Sequence, residues 1–134
     1  MFTSLTREAI KLPAIAVLLG LLAAPTLADD NQPANPVTLI NSFEVDQNQL
    51  EETIRFWEQV RDFLASQPGY ISTNLHQSLS PEAKFQLVNV AKWANPQAFQ
   101  EAIKNMRESG LGTDMRGTVF HAALYQVIRT DKGD

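Results

Sequence analysis

The stretch VNVAKWANPQAF, residues 88 to 99, decides the fold, because a strand pattern in it runs directly into a helix start. In an extended chain Asn89, Ala91 and Trp93 share one face, while Val88, Val90 and Lys92 take the other. Asn95 followed by Pro96 then opens a helix: asparagine can accept from a free amide of the first turn, and proline sits where no amide donor is needed. Phe99, Ala102, Ile103 and Met106 continue it at the i, i+3, i+4, i+7 spacing of one apolar face, and Ser109 and Gly110 stop it.

Upstream, KFQLVNVAKW (84 to 93) and YISTNLHQSL (70 to 79) read as two strands joined by the turn-compatible SPEA. VTLINSFEV (37 to 45) has the β-branched and aromatic content of a further strand. Asp46 can cap the helix after it, whose apolar stripe is Leu50, Ile54, Trp57, Val60, Phe63 and Leu64 and which Pro68 and Gly69 end. Downstream, the loop LGTDMRG leads to a closing strand, ALYQVIRT (123 to 130).

The order βαββαβ predicts an α+β, ferredoxin-like fold, an antiparallel sheet with two helices on one face. In that topology the first and third strands are central. Val37, Leu39, Asn41, Phe43 and Val45, with Phe85, Leu87, Asn89, Ala91 and Trp93, form the rows expected to meet the helices. The opposite rows, Thr38, Ile40, Ser42 and Glu44 with Gln86, Val88, Val90 and Lys92, mix apolar and polar residues. Such a face suggests a partner, most simply a second copy of the chain, hence a homodimer.

Residues 1 to 28 carry Arg7 and Lys11, the apolar run LPAIAVLLGLLAA and small residues at Thr26 and Ala28, the pattern of a secretory signal peptide cleaved after Ala28. A retained membrane anchor is the alternative, although Pro13 and Pro25 break the run short of the roughly 20 residues a span requires. Cleavage implies a periplasmic or secreted protein with no stable membrane insertion. Residues 29 to 36 read as a polar tether, 37 to 130 as the domain and 131 to 134 as a tail. Loss of Arg7, Glu8 and Lys11 moves the net charge from −4 to −5, which argues against nucleic acid. With no cysteine there is no disulfide, thiolate nucleophile or cysteine-based metal site.

Asn41 and Asn89 thus fall on neighbouring central strands inside an otherwise apolar layer. A buried amide without a partner costs on the order of 1 to 3 kcal/mol, so each needs a backbone group, a water, the other amide or a ligand. Ala91 between Asn89 and Trp93 leaves room, and amide donors beside an indole wall suit a planar oxygenated ring. Buried asparagines more commonly serve structural hydrogen bonds, and tryptophans near strand ends core packing. His121, preceding the last strand, is placed to line the pocket mouth and to move a proton near neutral pH, against the commoner role of a surface hydrogen bond. His76 lies on the polar row of its strand, and no carboxylate set accompanies either histidine to make a metal site. There is no nucleophile elbow and no phosphate-cradling glycine loop.

PVTLINSFEV, QPGYISTNLHQSL, FQLVNVAKWANPQAF and FHAALYQVIR together resemble the antibiotic biosynthesis monooxygenase family from Pro36 to Arg129. The resemblance implies a ferredoxin-like subunit that pairs through its sheet into a dimeric α+β barrel, with a pocket between sheet and helices. It further implies oxygenation of a phenol, quinol or anthrone-type substrate by molecular oxygen, with no metal, flavin or other cofactor. The family's N-x-x-x-W motif corresponds to Asn89 and Trp93 as catalytic residues, with Asn41, Ala91, Phe99 and His121 as substrate-binding candidates. Where anthrone-oxidising members carry a tyrosine six residues past the tryptophan, Phe99 stands here. The haem-degrading branch has a tryptophan where this chain has Ala102 and a histidine on the same helix, and none lies between Asn95 and Ser109, so haem degradation is not implied. A non-catalytic exported homodimer that binds a small hydrophobic ligand is the alternative function.

Overall fold

The structure, a computed structural model, describes residues 35–112 and 114–134. The expected signal peptide (1 to 28) and most of the tether (29 to 36) lie outside the described residues. Four strands, β1 (Val37–Val45), β2 (Tyr70–Gln77), β3 (Leu87–Trp93) and β4 (Thr118–Tyr125), form one antiparallel sheet in the order β2-β3-β1-β4. Two helices, α1 (Leu50–Leu64) and α2 (Pro96–Glu108), supply the second layer. This is the ferredoxin-like arrangement expected from the element order. Among the described residues no helix is long and apolar enough to cross a membrane.

Alternation sorts β1 as expected: Val37, Leu39, Phe43 and Val45 are buried, and Asn41 between them is half-buried. On β3, Leu87, Asn89, Ala91 and Trp93 are all buried. The apolar residues separate into two clusters along the strands. Val37, Leu39, Ala91, Trp93 and Ala102 pack at one end. Phe43, Val45 and Leu87 pack at the other. Between them, at the same level of the sheet, Asn41 and Asn89 are register partners.

Four sequence expectations need correction. Asp46 does not cap α1 with its side chain; a short 3-10 turn, Gln47–Gln49, intervenes, and the Gln49 amide donates to the Asp46 carbonyl at 2.8 Å. β2 ends at Gln77 rather than at residue 79, where the Ser78 amide turns to donate to the Gln86 carbonyl at 2.8 Å. β3 begins at Leu87 rather than at residue 84, because the chain bends at Gln86. The buried Gln86 amide donates to the carbonyls of Ser80, Pro81 and Ala83 at 3.1, 3.2 and 2.7 Å, and Phe85 leaves the inner row to meet His121 on the other face. β4 occupies Thr118–Tyr125 rather than 123 to 130. The length of β1 is the reason: Val45 pairs with Thr118 and Thr38 with Tyr125, so residues past 125 find no ladder.

α2 starts as expected, with Asn95 Oδ1 accepting from the Ala98 amide at 2.7 Å. Gly69 sets the approach of β2 to this helix end. Its φ is +87°, a Cβ there would clash with the Ala98 Cβ, and its carbonyl accepts from the Ala94 amide at 2.8 Å. Gly69→Ala is therefore expected to lower stability by about 2 kcal/mol or more, combining left-handed strain with a steric clash. A denaturant midpoint within error of the parent would contradict this packing.

Candidate active site

Between the two apolar clusters the sheet and helices enclose a partly open cavity of about 320 Å³. Because the cavity is partly open, solvent or a ligand fills it.

Trp93, 1 % exposed, forms one wall, with the rings of Tyr70 and Phe99 edge-on to it at 5.5 and 5.6 Å. Phe43 and Phe120, whose rings meet at 4.8 Å, form the other. Ala91 keeps the floor low between Asn89 and Trp93. The shape is a slot with aromatic sides, suited to a flat apolar ring system.

The polar atoms in it are few. Thr73 Oγ1 donates to Asn89 Oδ1 at 2.6 Å, an arrangement that leaves Nδ2 as the donor for a ligand. Asn41 Oδ1 and Trp93 Nε1 are both buried without a hydrogen-bond partner, although both side chains line the cavity. A buried polar atom left unpaired costs on the order of 1 to 3 kcal/mol. Among the described residues the lining includes no carboxylate or imidazole, so none of these side chains is suited to act as a base at neutral pH; their charged members are Arg61 and Arg107.

Of the residues singled out from the sequence, Asn41, Asn89, Ala91, Trp93 and Phe99 come together around this cavity. His121 does not. With β4 starting at Thr118, Phe120 and Ala122 take the inward positions and His121 faces the other way, its Nε2 2.6 Å from Glu44 Oε2 and its ring 5.5 Å from that of Phe85. His76 is also exposed, its Nδ1 3.2 Å from the Val88 carbonyl. Thr73 and Tyr70 were not foreseen. A register shift between Tyr70 and Ser72 inserts Ile71 as an extra residue, and this turns both Tyr70 and Thr73 to the helix side. The run Ser72, Thr73, Asn74 carries the only trace of it, a polar stretch with no clean alternation.

Comparison with known proteins agrees with this architecture. The family model described as antibiotic biosynthesis monooxygenase matches residues 36–106. A protein of Shewanella loihica PV-4, provisionally described as a monooxygenase, is 47% identical over 72% of this chain and 98% of its own, with a TM-score of 0.67. SnoaB of Streptomyces nogalater, a cofactor-independent oxygenase, is 24% identical over 72% and 97%, with a TM-score of 0.61. The haem degrader MhuD of Mycobacterium tuberculosis, with two haems in its active site, shares the fold at 19% identity over 72% and 99%, with a TM-score of 0.54. No curated protein sequence matches the chain. The matched span runs from the start of β1 into α2 and includes Asn41, Thr73, Asn89 and Trp93, and with the 47% identity to the Shewanella protein it makes this chain a member of the antibiotic biosynthesis monooxygenase family.

Proposed function

We propose that the protein is an oxygenase of a phenol, quinol or anthrone-type substrate that uses molecular oxygen without a cofactor, and that it acts as a homodimer outside the cytoplasm. The observation that carries this is the aromatic slot lined by Trp93, Phe99, Phe43 and Phe120, into which Asn89 brings an amide nitrogen that no other described side chain engages. Family membership supports the reaction class, and SnoaB supplies a precedent on the same fold. A haem-degrading role lacks support in the pocket, since Ala102 is core and no histidine lines the cavity.

For an anthrone the chemistry balances without an external reductant. The acidic methylene (or the hydroxyl of the enol tautomer) loses one proton, and the resulting enolate, with its charge on the ring oxygen, transfers electrons to oxygen. One oxygen atom becomes the new carbonyl at the former methylene carbon, and the other leaves as water, taking the remaining hydrogen of that carbon and one proton from solvent. Asn89 Nδ2 stabilises the oxyanion as it forms, Trp93 walls the ring and offers Nε1, and Asn41 positions the hydroxyl end. Because the lining holds no carboxylate or imidazole, the proton passes to solvent and the substrate's own acidity governs the ionised fraction. The rate should therefore rise with pH around a midpoint that moves with the pKa of the substrate hydroxyl. An invariant midpoint across substrates of different acidity would assign the proton transfer to a protein group.

Asn89→Ala should lose about 2.7 to 4 kcal/mol of transition-state stabilisation, a hundredfold or more in kcat, with substrate affinity little changed. Thr73→Val, which releases the Asn89 amide, should lower kcat by about 1 kcal/mol with KM nearly constant. Oxygen uptake and thermal melting on the same preparations separate the readings. Full uptake per folded molecule in a destabilised Asn89→Ala protein would make both residues structural, and ligand binding without uptake in the parent would favour a non-catalytic binding protein.

The outer sheet face suggests the dimer surface. Thr38, Ile40, Ser42, Val88 and Val90 on it are half-buried, while Val119 and Tyr125 are 54% and 50% exposed. Burial against a second copy would cover them. Sedimentation at micromolar concentration is expected to give a dimer; a monomer would refute that part.

A further inference from the structure

We infer that the substrate is an anionic hydroxyarene, bearing a carboxylate that Arg61 and Arg107 hold while its hydroxyl end reaches Asn41, Asn89 and Trp93. The inference rests on the cavity being the substrate site, as proposed above, and adds the charge and the second functional group. Three observations carry it. The chain is acidic overall, with a net charge of −4, yet the charged residues lining its cavity are both arginines. Arg107 makes no ion pair among the described residues, so its guanidinium is available. Arg61 is shared with the exposed Asp62 at 2.9 Å and lies 5.2 Å over the ring of Trp57, which also lines the cavity, so its stem and plane are held at the pocket wall.

Each arginine stands in the last turn of its helix, where a cation complements the dipole. Dipole complementarity asks only for positive charge at a helix end. It does not ask that both cations border the cavity while acids are kept from its lining. A planar guanidinium binds carboxylate through paired N–H donors, so arginines in the lining select a carboxylate over a neutral group of similar shape. Asn89 Nδ2 offers a donor to a hydroxyl on the same ring system.

Both tryptophans of the chain, Trp57 and Trp93, line the cavity, so intrinsic fluorescence reports its occupancy. The full chain is titrated in deoxygenated buffer near neutral pH with 6-hydroxy-2-naphthoic acid and with 2-naphthol, which differ by the carboxylate. The acid is expected to bind about tenfold or more tightly than the naphthol at low salt, with the advantage shrinking as salt is added. Arg107→Gln, which frees no carboxylate, should cut most of that advantage, and the double variant with Arg61→Gln should abolish it, while 2-naphthol binds each variant as it binds the parent. The inference is overturned if the acid binds no more tightly than the naphthol, if its advantage survives the double substitution, or if neither probe binds. Oxygen uptake plays no part in this measurement. A chain that turns over neutral quinols but shows no acid preference overturns the substrate inference and leaves the oxygenase; the arginine-dependent preference without turnover of any quinol does the reverse.

Discussion

The hydrogen bond from Thr73 to Asn89, 2.6 Å long and set between two apolar clusters, is the contact on which the site depends. Without it the Asn89 amide could present either its oxygen or its nitrogen to the cavity, and a site that must stabilise negative charge would spend part of its time offering a lone pair. With the Thr73 hydroxyl donating to Oδ1, that oxygen is engaged and Nδ2 is the atom presented to the ligand. The contact in turn depends on the β2 irregularity at Ile71, since a regular strand from Tyr70 would have turned Thr73 to the outer face. One inserted residue on an edge strand therefore sets the polarity of a donor on a central one.

The fold tolerates polar residues at this level because the backbone ladder is unaffected by them. Asn41 and Asn89 pair through their main chains as any antiparallel residues would, and the interruption exists only in the side-chain layer. Apolar packing is then complete at both ends of the strands, around Trp93 and Ala102 at one and Phe43 and Leu87 at the other. Stability and recognition occupy different stretches of the same two strands. Walls of this kind hold a slot open because their aromatic residues lean on each other, edge to face, and not across the gap.

Much of this was legible in the sequence, for a definite reason. Asn41 and Asn89 could be placed together because β1 and β3 are central strands whose alternation is enforced by a buried face, and a single parity shift would have exposed every apolar neighbour. The start of α2 was legible because Asn95 and Pro96 act locally. Edge elements were harder. β4 was displaced by five residues because Ala123 to Thr130 has strand-like composition, while the ladder is limited by where β1 ends, a tertiary constraint absent from local pattern. That displacement carried His121 to the wrong face, where it meets Glu44. Thr73 was invisible for the same class of reason, since a register shift leaves no residue signature of its own.

The contrast between the two asparagines has a chemical consequence within the proposed reaction. Asn89 is hydrogen-bonded to Thr73, whereas no side-chain hydrogen bond among the described residues holds Asn41, whose Oδ1 is buried and unpaired. A neutral substrate hydroxyl can accept from Asn89 Nδ2, and can donate to Asn41 Oδ1 once that side chain turns its buried oxygen toward the cavity. Loss of the proton removes the donor that Asn41 needs, and an amide facing an oxyanion with its own oxygen would then oppose ionisation. Rotation of the unpinned amide by half a turn exchanges its oxygen for its NH₂ group and converts the opposing dipole into a second donor. The site thus combines one amide whose oxygen is engaged by Thr73, leaving its nitrogen for the charged state, with another that no side chain among the described residues holds and that can follow the proton.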